Sequence, residues 1–176
     1  MQIPAEIQLF PDSSVQIASY FLVSRERVSN FIGREDQLRQ ILAYFSTPRA
    51  DQDPAPRVLI LNALGGQGKS QIALEYCRRS RKTYQGVFWV HASSEASAIQ
   101  SYENIMTKLK IGELVKGDAE AVVELVRDFM EHWNERWLLV FDNYDEPEKF
   151  HNVRNFIPKG RKLQSQCYKL RIIEYE

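Results

Sequence analysis

The feature that most restricts the fold of this chain is a glycine-rich segment between an apolar run and an amphipathic stretch. Residues 57–62 are mostly aliphatic, three glycines follow between positions 65 and 68, and a helical pattern begins at Lys69 and Ser70. Glycine has no Cβ atom, so the backbone can curl and direct successive N–H groups to one point. A helix that begins there adds its unpaired N–H groups and the positive end of its dipole. This order predicts a strand, a phosphate-binding loop and a helix.

The predicted loop favours binding of a nucleotide polyphosphate with Mg²⁺. Lys69 would reach the β and γ phosphates, and the hydroxyl of Ser70 would bind the metal. The pattern departs from Gly-x-x-x-x-Gly-Lys-Ser/Thr at its first position, which is Ala63. An ordinary glycine-rich turn between a strand and a helix is the alternative interpretation. The predicted binding residues of the loop are Leu64, Gly65, Gly66, Gln67, Gly68, Lys69 and Ser70.

A second apolar run supplies another candidate metal ligand. Residues 137–141 are apolar, and Asp142 follows them directly. Ligands of a parallel sheet lie outside the carboxyl ends of its strands. Asp142 is therefore expected beside the phosphate loop, where it would hold Mg²⁺ together with Ser70.

The residues that follow Asp142 predict slow or absent hydrolysis. Many nucleotide hydrolases of this architecture place a second acid next, to polarise the attacking water. Here that position is Asn143, which cannot accept a proton near neutral pH. Asp145 is a weak candidate for the catalytic base. The favoured interpretation is a solvent-exposed residue of the turn. His91, after the preceding strand, is expected to be a hydrogen-bonded structural residue rather than a ligand.

The order of apolar segments predicts an α/β fold, in which helices cover both faces of a parallel sheet. Residues 1–30 are interpreted as a lead-in, with a short helix around 13–22. Three strands are expected, at residues 57–62, 86–90 and 137–141. Two helices are expected over residues 34–46 and about 69–82, and the first has an apolar stripe of Leu38, Ile41, Leu42 and Phe45. A third helix is expected after a cap at Ser93 or Ser94, and a fourth after a cap at Asp118.

Charge and cysteine content argue against several functional classes. The 176 residues include 23 basic and 23 acidic side chains, so no excess of charge predicts binding to nucleic acid or to a membrane. Cys77 and Cys167 lie far apart without metal-binding spacing, which is typical of reduced thiols. The first residues lack the basic and apolar regions of a signal peptide. We therefore expect a cytoplasmic protein.

Four segments of the chain together resemble the NB-ARC nucleotide-binding domain of signal-transduction NTPases, in particular of fungal NOD-like receptors. They are residues 31–38, 63–76, 87–92 and 137–143. The resemblance covers residues 27–161. It implies a three-layer sheet of the P-loop NTPase type that binds ADP at rest and exchanges it for ATP to self-associate. A role in signalling and innate immunity is implied as well.

The resemblance also assigns roles at the site. Ile32, Gly33 and Arg34 belong to the motif that lies over the adenine in this family, although an ordinary turn before a helix would explain the same residues. Gln71, directly after the loop, joins the predicted nucleotide-binding residues.

The end of the chain departs from the family, in which a sensor strand, a small helical domain and a winged helix follow. We expect a lead-in at residues 1–30, a partial NB-ARC domain at 31–161 and a non-family tail at 162–176. The sheet is thus expected to be incomplete and the chain truncated. Residues 167–173 have partial β character, but Lys169 and Arg171 alternate with apolar residues. They are expected to be a poor replacement for the sensor strand.

Two other functions compete with a nucleotide switch. A small P-loop kinase would use the same loop, but no lid segment or arginine-rich acceptor pocket follows, and Asn143 removes the favoured base. A truncated fragment without function is the other alternative.

Overall fold

The computed structural model describes residues 19–24, 26, 28–47, 57–61, 66–112, 115, 117–144, 148, 150–158 and 168–173. Within these ranges the elements are β1 (Tyr20–Leu22), α1 (Glu35–Ser46), β2 (Arg57–Ile60), α2 (Lys69–Arg79), β3 (Gly86–His91), α3 (Glu95–Leu109), α4 (Ala119–His132), β4 (Trp137–Tyr144), a short 3₁₀ helix (Val153–Phe156) and β5 (Tyr168–Ile173). None of the helices in the described part is long and apolar enough to cross a membrane.

The strands form one parallel sheet in the order β1-β3-β4-β5-β2. Parallel neighbours cannot be joined by a tight turn, so the chain crosses over the sheet between them, and helices form the longer crossings. The register of β3 and β4 runs from Gly86 opposite Trp137 to His91 opposite Asp142. The last residue of β3 therefore lies level with Asp142, and β4 continues to Tyr144.

Two apolar layers lie on opposite faces of the sheet. Along β3 and β4, alternate side chains point to opposite faces. One set packs with α1 and α2, and the other packs with α3 and α4. The first layer includes Leu38, Ile41, Phe45, Leu74, Val87, Trp89, Leu138 and Val140. The second includes Phe88, Val90, Tyr102, Ile105, Val126, Met130, Leu139 and Phe141. The predicted three-layer α/β class is confirmed.

The tail corrects one expectation. Residues Tyr168–Ile173 form β5 between β4 and β2, with Leu170 opposite Val140 on one side and Leu59 on the other. The sheet, which was expected to be incomplete, is therefore continuous across this position. Hydrogen exchange of residues 168–173 tests how stably the tail replaces the sensor strand. A strand in this position pairs its own backbone groups and those of both neighbours, and unpaired groups at each position would cost free energy.

The lead-in also differs from expectation. Residues 20–22 form a strand beside β3 instead of the end of a helix, and residues 13–18 lie outside the described ranges. Phe21 packs on the α1–α2 layer, whereas Tyr20 and Leu22 pack on the other layer. Apolar side chains that alternate between two faces suit a strand at this edge.

The helix starts follow the predicted caps. The Ser94 hydroxyl accepts from the backbone N–H of Ser97 at 3.2 Å, and the Ser97 hydroxyl accepts from the N–H of Ser94 at 3.0 Å. An Asp118 carboxylate oxygen accepts from the N–H of Ala121 at 3.1 Å. The caps at Ser94 and Asp118 are confirmed. Leu42, predicted on the buried stripe of α1, is 51% exposed, so the stripe is narrower than expected.

Cys77 is a free thiol in the α1–α2 layer. Burial raises the pKa of this thiol, because the interior does not solvate the thiolate. The side chain is therefore a neutral apolar group. Cys167 lies outside the described residues.

Candidate functional site

The described part of the glycine-rich loop leads directly into α2. Gly66 and Gly68 have φ angles of 77° and 81°, a region that glycine adopts without steric penalty. A Cβ atom added at either position would meet nothing within 4 Å. Gly68 is the N-cap of α2, and no side chain caps this helix. The positive end of the helix dipole thus lies beside open space at the two glycines, an arrangement that favours an anion. Leu64 and Gly65 lie outside the described residues.

The two predicted metal ligands touch each other. The Ser70 hydroxyl donates to a carboxylate oxygen of Asp142 at 2.7 Å. Asp142 is completely buried, and Ser70 is partly buried in the first turn of α2. Hydroxyl and carboxylate oxygens are hard ligands suited to Mg²⁺. The described residues contain no group of three or more His, Cys, Asp or Glu side chains that could hold a metal ion by themselves.

Asn143 changes the direction of the chain just after Asp142. Its φ is 62°, in the left-handed region that asparagine tolerates better than most residues. The register between β4 and β5 is irregular between Phe141 and Tyr144. Asp142 is the last residue of β4 that pairs with β3, and it lies beside the first turn of α2. Asp145, the weak candidate for a base, lies outside the described residues.

Residues predicted to lie over an adenine form a turn next to the phosphate loop. Gly33 and Arg34 both have positive φ, 80° and 60°, and α1 follows at once. The Arg34 guanidinium approaches the carbonyl of Gln67 at 3.4 Å. Ile32, in the same turn, is 88% exposed. An apolar side chain in water beside a polar loop is a suitable contact for the face of a base.

An ion-pair cluster that sequence reasoning missed fixes α1 against α2. The Arg79 guanidinium donates two hydrogen bonds to Glu35, each at 2.7 Å. It also donates to the buried carboxylate of Glu75 at 2.8 Å, and Arg78 donates to the same carboxylate. The hydrogen bond from Arg79 lowers the pKa of Glu35. Because Glu35 follows Arg34, the cluster holds the turn in place. The spacing of Glu75 and Arg79 was the available signal, since residues four apart on a helix are neighbours.

Gln71 contacts the lead-in segment. Its carbonyl oxygen accepts from the backbone N–H of Val28 at 3.1 Å, and its amide nitrogen donates to the carbonyl of Glu26 at 3.5 Å. Sequence reasoning placed Gln71 among the nucleotide-binding residues and gave no signal for this contact, which spans more than 40 positions.

His91 is hydrogen-bonded, as predicted. Its Nε2 lies 2.8 Å from the Ser24 hydroxyl, and its backbone N–H donates to the Ser101 hydroxyl at 3.1 Å. The residue lines an open cleft of about 840 Å³ between β1, β3 and α3. These contacts tie the end of β3 to the lead-in and to α3.

Comparison with known proteins identifies the family. A family model described as the NB-ARC domain matches residues 34–168. The chain belongs to the NB-ARC domain family. This result confirms the resemblance found in the sequence.

A curated relative supports the same assignment of this NB-ARC domain. It is a nucleotide-binding leucine-rich repeat (NLR)-like protein of Hyaloscypha variabilis, 34% identical over 130 residues. The match covers 72% of this chain and 13% of that protein, so the chain spans a small part of the relative's length. The relative is fungal, as the resemblance to fungal NOD-like receptors implied.

A solved structure shows the same fold. The crystal structure of Cdc6p from Pyrobaculum aerophilum superposes with a TM-score of 0.56 at 15% identity, covering 88% of this chain and 42% of that one. At this identity the likeness concerns the fold alone. It supports the P-loop NTPase-type sheet that the sequence predicted.

Proposed function

We propose that this NB-ARC domain binds ADP or ATP with Mg²⁺ and works as a nucleotide switch with little or no hydrolysis. The observation that carries the proposal is the 2.7 Å contact between Ser70 and the buried Asp142 at the start of α2. A buried carboxylate is costly unless it is hydrogen-bonded or binds a metal. Here it lies beside a helix start and a loop with left-handed glycines, which together favour an anion.

Each residue of the proposed site has a distinct role. The backbone N–H groups of residues 64–70 would surround the phosphates, and Lys69 would neutralise charge on the β and γ positions. Ser70 and Asp142 would hold Mg²⁺, which would offset the negative charge of the phosphates. Ile32 and the turn at Gly33–Arg34 would bind the base. The Ser70 hydroxyl donates a hydrogen bond to Asp142, so the two side chains are already oriented toward each other.

The magnesium requirement can be tested with Asp142→Asn. In the wild type we expect the affinity for ADP, measured by calorimetry, to fall about tenfold when Mg²⁺ is replaced by EDTA, an effect of about 1.4 kcal/mol. In Asp142→Asn this dependence on Mg²⁺ should largely disappear, since an amide is a poorer ligand for the ion than a carboxylate.

Asp128→Asn is the matched control for that experiment. It removes the same charge from a half-exposed position on α4, in the opposite layer. It should bind ADP and respond to Mg²⁺ as the wild type does. An unchanged Mg²⁺ dependence in Asp142→Asn would contradict the proposed metal site.

Turnover of ATP is expected to stay well below the ordinary enzymatic range, which begins at about 1 s⁻¹. The reason is Asn143 at the position where a second acid would polarise water. Steady-state phosphate release measures the rate. Asp145→Asn tests whether Asp145 is the base for any hydrolysis that remains. If Asp145 is the base, this substitution abolishes residual hydrolysis and leaves ADP affinity unchanged. A wild-type rate on the order of 1 s⁻¹ or more would contradict the proposal.

We propose that a protein containing this domain takes part in signalling. The family suggests that exchange of ADP for ATP controls self-association in the cytoplasm. The match covers 13% of the relative, so most of that protein lies outside the matched region. The nucleotide site itself depends only on residues of this domain.

A further inference from the structure

The lead-in segment runs along the carboxyl ends of the strands. It begins as β1 beside β3, and Ser24 then contacts His91 at the end of that strand. Its backbone at positions 26 and 28 contacts Gln71 in the first turn of α2. It ends at Arg34, whose side chain approaches the phosphate loop. We refer to the described residues 20–24, 26 and 28–34 as the strap.

Gln71 is well suited to hold this strap. A side-chain amide offers one acceptor and two donors. Here the acceptor binds the N–H of Val28 and a donor faces the carbonyl of Glu26, so the contact is made with backbone groups. Gln71 immediately follows Ser70, which touches Asp142. The strap contact and the proposed metal contact thus belong to consecutive residues of one helical turn.

The strap also carries exposed apolar side chains near the loop. Val28 is 47% exposed and Ile32 is 88% exposed. Covering large exposed apolar groups with a flat apolar surface lowers the free energy, in proportion to the area removed from water. The base of a nucleotide held by the phosphate loop is such a surface. The position of the strap therefore sets how much apolar area the base can cover.

We propose that Gln71 is a positioning residue that holds the strap against α2 and thereby slows the release of bound nucleotide. This inference rests on the proposed function, and it adds a regulatory element to the same site. Gln71 acts through Val28 and the residues that follow it, with no need to touch the phosphates. Coupling between two sites is reciprocal, so bound nucleotide must in turn stabilise the strap.

The test measures the dissociation rate of a fluorescent ADP analogue, with Mg²⁺, from the full chain by stopped flow. Gln71→Met keeps a long helix-forming side chain and removes both hydrogen-bonding groups. We expect it to raise the dissociation rate about threefold to tenfold, as loss of one or two hydrogen bonds predicts, with little change in the association rate. Gln40→Met makes the same change at an exposed position on α1 and should leave both rates unchanged.

A second variant separates the strap from direct phosphate binding. Ser24→Ala removes the hydroxyl that contacts His91, at the opposite end of the strap from the loop. If the strap acts as a unit, Ser24→Ala raises the dissociation rate in the same direction as Gln71→Met. An unchanged rate in Ser24→Ala would mean that Gln71 acts at the phosphates, and it would overturn the inference.

Hydrogen exchange supplies a second readout, at amides of the strap beyond the direct contact with Gln71. In the wild type, Mg-ADP should slow exchange of the amides of residues 31–33, and in Gln71→Met this protection by nucleotide should be lost. If wild type binds nucleotide but Gln71→Met releases it at the wild-type rate, the strap inference is wrong and the proposed function stands. If the wild type does not bind nucleotide at all, the proposed function is wrong and the inference falls with it.

Discussion

Replacing Lys69 with alanine is expected to weaken binding of Mg-ADP about tenfold to a hundredfold. Lys69 is the first residue of α2 and follows the left-handed Gly68, so its side chain starts at the helix end that would bind the phosphates. Hydrogen bonds to charged groups contribute about 1.5–3 kcal/mol, and each 1.4 kcal/mol is tenfold in affinity. Titration calorimetry of the wild type and the variant measures the ratio directly.

Lys82→Ala is the matched control for this substitution. Lys82 is exposed just beyond the far end of α2, so the variant loses the same charge from the same region of the chain. A general loss of positive charge would weaken binding in both variants and would be screened by salt. A specific role of Lys69 predicts a loss in that variant alone. Equal ADP affinity in wild type and Lys69→Ala would contradict the proposed phosphate site.

The meeting of Ser70 and Asp142 could be predicted because it follows from sheet geometry. The carboxyl ends of parallel strands share one edge of the sheet, so the loop and helix start that follow β2 lie at the same edge as the acid near the end of β4. The residues between Ser70 and Asp142 did not need to be known. The left-handed glycines and the caps at Ser94 and Asp118 are likewise local, since each depends on a few consecutive residues.

The strands β1 and β5 could not be predicted, for a different physical reason. Both are held by partners distant in the sequence, and strand preference depends on the neighbours that a strand meets. Alternating charges at Lys169 and Arg171 argued against a central position, yet β5 lies between two strands. The contact of Gln71 with the strap and the pairing of Arg79 with Glu35 are equally distant, so they have no local signal.

The central position of β5 predicts a large effect of proline in that strand. Leu170 lies opposite both Val140 and Leu59, so Leu170→Pro removes a backbone donor from the middle of the sheet. The lost hydrogen bond and the buried carbonyl left without a donor should together cost about 2–4 kcal/mol of unfolding free energy. This is a large part of the roughly 5–15 kcal/mol that stabilises a typical domain. Urea denaturation followed by circular dichroism measures the loss.

The same substitution at the sheet edge provides the comparison. β1 pairs with β3 on one side only, and its other side bears no strand of the described sheet. Phe21→Pro should therefore disturb the pairing with one neighbouring strand, whereas Leu170→Pro disturbs a strand that pairs on both sides. The loss of unfolding free energy should be smaller for Phe21→Pro. Hydrogen exchange in the wild type tests the premise, because amides of residues 168–173 must then be protected as strongly as those of Trp137–Tyr144. Fast exchange of the amides of residues 168–173 together with slow exchange in β4 would show that β5 does not hold β2 and β4 together. Leu170→Pro would then leave the urea midpoint unchanged.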